Sequence, residues 1–80
     1  MLNFTKIKDS VSIVNLRRLG FEQNDDVMVL FDDGCVLYGK LNFIEDYETL
    51  FDVQLVLDWV YWKTRDMSCA VGIVKVGFLI

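Results

Sequence analysis

The 80-residue chain has no histidine and no proline, two cysteines, and no apolar run long enough to cross a bilayer. Each shortage excludes something. Without histidine there is no Ser-His or Cys-His nucleophile pair, no zinc site of the usual kinds, and no imidazole to move protons near neutral pH. Two cysteines are too few for a secreted disulfide scaffold. Cys35 and Cys69 both lie in apolar runs, which predicts two buried thiols. Lys6, Lys8 and Asp9 interrupt the place where a signal peptide would be apolar. The longest apolar stretch, residues 70–80, contains Lys75 and falls short of the ~20 residues of a membrane helix. The expectation is a soluble, cytoplasmic protein with no membrane association. No phosphate loop, dinucleotide motif or nucleophile elbow is present, so neither a cofactor nor an enzyme is expected.

What is present is apolar surface and alternation. Hydrophobic residues make up 54% of the chain, enough to fold as one domain over residues 1–80 with a single core. From residue 51 to 61 every odd position is apolar, and Asp52, Gln54 and Asp58 fall between them. That period of two predicts one long strand with Trp59 and Tyr61 on its inward face and Trp62 on the other. Asp32-Asp33-Gly34 separates two apolar runs, a hairpin signal, because glycine accepts the positive φ of a tight turn. Lys63-Thr64-Arg65-Asp66 reads as a polar break, and residues 67–80 as a strand bent at Gly72 or Gly77. In the N-terminal third, Asp9 or Ser10 would cap a helix ending near Leu19, with Ile13, Leu16 and Leu19 on one face and Gly20 past its end.

Length then restricts architecture. Thirteen residues at about 3.3 Å each would reach about 43 Å, whereas a domain of this size is about 30 Å across. The long strand must bend, and Gly39 offers a place for its neighbour to bend with it. The predicted fold is mainly β: a small five-stranded barrel of bent strands with one short N-terminal α-helix. Residues 27–53 resemble the first motif of Sm and Sm-like proteins, through Gly34, Gly39, Leu41 and Asp46. That resemblance implies an SH3-like or Sm-like barrel, an oligomeric ring and RNA binding. Two functional positions depart from the family pattern. The loop that carries the family's RNA-contacting asparagine reads Tyr47, Glu48, Thr49 and Leu50 here. The basic residue expected directly before a glycine is Lys75, separated from Gly77 by Val76.

Charge is unevenly placed. Residues 1–18 carry a net +3, residues 19–62 a net −9 and residues 63–80 a net +2, for −4 in all. The hairpin would gather Asp25, Asp26, Glu45, Asp46, Glu48 and Asp52 at one end, to dock on a basic protein surface. Solvated turns would account for the same residues, and a cation site would too, although the spacing is not that of a calcium loop. Direct nucleic-acid binding is disfavoured by the net charge. Trp62 is expected either to pack at the rim of the core or to anchor an interface, where tryptophan is enriched. The apolar C-terminus would be a hazard on an open edge, so self-association through the C-terminal strand is a further expectation. The resulting reading is an acidic adaptor or inhibitor that binds another protein. Phage and mobile elements encode small proteins of this kind, which would act in the host cytoplasm. The alternatives are a divergent Sm-like RNA-binding ring and a structural assembly subunit.

Overall fold

The computed structural model describes residues 3–7, 11–44, 52–58 and 60–76. The elements run β1 (Thr5–Lys6), α1 (Ile13–Arg18), β2 (Asp26–Phe31), β3 (Val36–Ile44), β4 (Asp52–Asp58), β5 (Lys63–Asp66) and β6 (Ala70–Lys75). The strands form one antiparallel sheet in the order β1-β6-β2-β3-β4-β5. The mainly β expectation with one short helix therefore holds, with six strands among the described residues instead of five. Neither β1 nor β5 is among the strands read from the sequence; β1 is two residues long and too short to leave a periodic signal. Among the described residues no pairing joins β1 to β5, and the sheet they form is not closed into a barrel.

One face of the sheet forms the core. Val27, Val29 and Phe31 of β2, Leu41 of β3, Val53 and Leu55 of β4 and Ile73 of β6 are all buried there. Ile13 and Leu16 of the helix, with Phe21, Met67 and Ala70, complete it. The N-cap lies three residues past Asp9 and two past Ser10, the caps expected, both of which lie outside the described residues. Ser12 is the N-cap, its Oγ accepting from Asn15 N at 3.1 Å. At the other end Phe21 N donates to Leu16 O and Gly20 N to Arg17 O, with Gly20 at φ +96°. This Schellman arrangement satisfies the last carbonyls and drops Phe21 into the core beside Leu16. Leu19, expected on the buried face, is exposed because the helix ends beneath it.

The hairpin is as expected. Gly34 stands at φ +87°, Gly34 N donates to Phe31 O, and Asp33 Oδ1 accepts from Cys35 N. The long strand is not. β4 stops at Asp58, and the residues read as a polar break form the edge strand β5. Three of its four residues are charged, a composition that hides a strand's period and protects an open edge. Between Val56 and Asp58 the β4–β5 register shifts by one residue, a bulge that reverses the alternation. Val56, still in regular register with Lys40 and Thr64, is buried where a wet position was expected. Leu57 is exposed, and Tyr61 lies exposed in the turn instead of facing inward. Trp59 lies outside the described residues. β6 shows a second irregularity beside Gly72, near the predicted bend, while Gly77 lies outside the described residues.

The sheet curls around its core. Arg65 of the edge strand β5 sets its guanidinium 3.9 Å from the Phe31 ring centroid and 3.7 Å from Asp33 Oδ2, although β3 and β4 lie between. In a flat sheet those strands would be about 14 Å apart at the usual spacing of about 4.8 Å. Close approach also fixes Gly39, where a Cβ would lie 2.5 Å from Val56 O and 3.0 Å from the Leu55 side chain. Ahead of the start of β2, Gln23 continues the pairing. Its amide donates to Asn42 Oδ1 and accepts from Phe43 N, while Asn24 N and Asp25 O bond the backbone of Leu41.

Two substitutions test this packing. Gly39→Ala should destabilise the protein by about 1–3 kcal/mol, read as a lower urea midpoint with unchanged slope, since backbone must shift to admit the methyl group. Arg65→Ala should lose about 1–2 kcal/mol by uncovering Phe31, and Arg65→Met should recover part of that by restoring the apolar stem.

Candidate functional site

The acidic residues singled out above fall into three groups. Asp25 and Asp26 stand at the start of β2, and each is held by a lysine. Lys40 Nζ lies 3.1 Å from Asp26 Oδ1, and Lys75 Nζ lies 3.5 Å from Asp25 Oδ2. Asp26 also accepts from the Tyr38 hydroxyl at 3.3 Å, and Asp25 from Glu22 N at 2.8 Å. Asp52 opens β4, its backbone paired with Ile44 at the same end of the sheet. Glu45, Asp46 and Glu48 lie outside the described residues, in the connection that leaves from Ile44 and returns at Asp52. Trp62 is not with them. It sits in the β4–β5 turn, and β4 alone separates the two ends by about 20 Å at about 3.3 Å per residue.

The cations form an arrangement that local sequence could not reveal. Arg17 lies over the Phe43 ring and 3.7 Å from Glu22. Lys75 lies over Phe21 and pairs with Asp25, while Arg65 lies over Phe31 and pairs with Asp33. Three rings at the rim of the core are each covered by a cation, and each cation is neutralised by a carboxylate. The partners come from distant parts of the chain, so no spacing announces them. All these pairs are partly exposed, and each contributes on the order of 1 kcal/mol or less. Four basic side chains are thereby engaged within the protein, and four acidic ones with them.

Other carboxylates shape turns. Asp58 Oδ1 accepts from Val60 N and Tyr61 N, and Asp66 Oδ1 accepts from Ser68 N. Among the described residues no three His, Cys, Asp or Glu side chains are grouped so as to hold a metal ion. No helix there is long and apolar enough to cross a membrane. Cys35 is half-buried, but Cys69 is exposed in the turn before β6, contrary to the expectation of two buried thiols. The two flank β2 on opposite sides, Cys35 O accepting from Phe31 N and Cys69 O from Asp32 N. Compared with protein-family models, with curated proteins and with solved structures, the chain matches none.

The Tyr38–Asp26–Lys40 contact gives a spectroscopic handle. Desolvation of its ring raises the Tyr38 pKa above the usual 10.0. The charge of Asp26 and its hydrogen bond add to the rise, and Lys40 opposes it. A raised folded value means the phenol supports the fold below the unfolded pKa and loses that support as pH climbs through the folded one. Titration followed at 295 nm should find one tyrosine deprotonating late, and Asp26→Asn should bring that step to lower pH.

Proposed function

We propose that the protein is a non-enzymatic binding module that presents an acidic surface to a basic patch on another protein, as an adaptor or inhibitor. One observation carries the reading. The four ion pairs cancel among themselves, whereas residues 45–52 alone hold Glu45, Asp46, Glu48 and Asp52 with no basic residue, a charge equal to the net −4 of the whole chain. Ile44 and Asp52 are paired, so this connection begins and ends on the side of the sheet where β2 starts. Electrostatic docking of this kind accelerates encounter and selects partners more than it adds affinity.

Supporting a small barrel of SH3-like or Sm-like type are the curl carried by Arg65 on Phe31 and the helix across the core. An RNA-binding ring needs cations directed at phosphates, and Arg17, Lys40, Arg65 and Lys75 are instead engaged with carboxylates of the same chain. The apolar C-terminal strand is a weaker route to assembly than its sequence suggests. β6 lies between β1 and β2, and residues 77–80 lie outside the described residues.

Neutralising the connection by Glu45→Gln, Asp46→Asn and Glu48→Gln should remove basic-surface proteins from a quantitative pull-down while leaving thermal stability unchanged. An identical set of captured proteins would reduce those residues to solvated charge. Fluorescence anisotropy with single-stranded RNA at 50 mM salt should show no binding; a steep salt-dependent affinity would establish the RNA reading instead.

A further inference from the structure

We infer that β5 is a latched flap, an edge strand that opens and closes on the core separately from the rest of the sheet, with Arg65 and Asp33 as its ionic catch. β5 pairs with β4 alone, setting Gln54 against Asp66, Leu55 against Arg65, Val56 against Thr64 and, past the register shift, Asp58 against Lys63. Among the described residues nothing pairs with its outer edge. Lys63, Thr64 and Asp66 are exposed, so Arg65 is the one side chain of the strand that reaches the body of the protein.

A short strand held by one neighbour and by no buried apolar side chain belongs to the least stable part of a fold. β2 is the opposite case: it pairs on both sides and buries Val27, Val29 and Phe31. The chain on either side of the flap is anchored. Met67, directly after β5, is fully buried, and β4 buries Val53, Leu55 and Val56. Opening is thereby confined to β5 and leaves the core elements in place.

The catch follows from the register. Arg65 is paired with Leu55, a core residue, so its side chain is directed over the core face. The guanidinium ends 3.9 Å from the Phe31 centroid and 3.7 Å from Asp33 Oδ2, on the hairpin two strands away. Asp33 is set to receive it, because its other oxygen, Oδ1, is fixed by Cys35 N at 2.9 Å. The turn therefore keeps its shape whether or not Arg65 is bound. Arg65 is 35% exposed and Asp33 59%, so salt reaches the pair and screens it. Release hydrates the guanidinium and uncovers the Phe31 ring, which is otherwise buried. The device stands independently of the acidic docking proposed above.

NMR reads both halves of it. With the catch closed, the Phe31 ring current shifts the Arg65 side-chain protons upfield. Raising sodium chloride from about 0.1 M to about 1 M shortens the screening length from about 10 Å to about 3 Å and should return those protons toward their unperturbed positions. Over the same range the β5 amides bonded to β4 should exchange about two- to fivefold faster relative to the amides of β2, the loss expected for an exposed ion pair. Asp33→Asn keeps an oxygen for Cys35 N and removes the charge. It should reproduce the faster β5 exchange at low salt, abolish its salt dependence and leave β2 unchanged. Salt-independent β5 exchange in the wild type overturns the proposal, and so does an Arg65 shift that survives the high-salt condition. Acceleration of the β2 amides in step with β5 also overturns it, since the whole sheet would then be opening. The wild-type salt series decides the matter even if Asp33→Asn fails to fold.

Discussion

A six-stranded sheet with one apolar face has to cover that face, and here a six-residue helix is the only helix available among the described residues. Ile13 and Leu16 shield a small part of it. The rest must be shielded by the sheet itself, which is why its edge strand reaches back across the hairpin. Arg65 is the visible agent of that curl, its planar cation lying on Phe31 and its charge answered by Asp33. The absence of a side chain at Gly39, the bulge after Val56 and the irregularity beside Gly72 are all places where the backbone accommodates the same curvature.

Those accommodations also explain what could be read in advance. The β2–β3 hairpin was legible because Asp-Gly states its own turn between two apolar runs. The end of the helix was legible because Gly20 marks it without help from the rest of the chain, whereas the N-cap is Ser12 and not Asp9 or Ser10. The stretch around Trp59 was misread for a physical reason. β4 ends at Asp58 and the chain turns, while the apolar alternation of the sequence runs on to Tyr61, which therefore lies on the surface of the turn. β5 escaped notice because an edge strand rich in charge lacks the period by which strands are recognised.

The candidate surfaces divide the same way. Clustering of Asp25 and Asp26 at one end followed from hairpin geometry, and their lysine partners did not, since Lys75 arrives from the last strand. The cation-covered phenylalanines belong to tertiary structure alone. Together they turn a chain with many charges into one whose described surface is largely balanced. The acidic surplus of the sequence is left to the connection between β3 and β4.

Gln23 carries a consequence for how the molecule opens. Its side-chain amide bonds to Asn42 and Phe43 as a peptide group would, lengthening the central pairing ahead of the first residue of β2. Strand ends ordinarily fray first, and their amides exchange with solvent while the interior stays closed. Here the amide of Phe43 is bonded to a side chain rooted in the segment that follows the helix. Releasing it means dislodging that segment and, with it, the Phe21 that anchors the helix to the core. Slow exchange at Phe43 would therefore report on the docking of the helix, and the end of the central hairpin opens as one cooperative unit with the N-terminal segment.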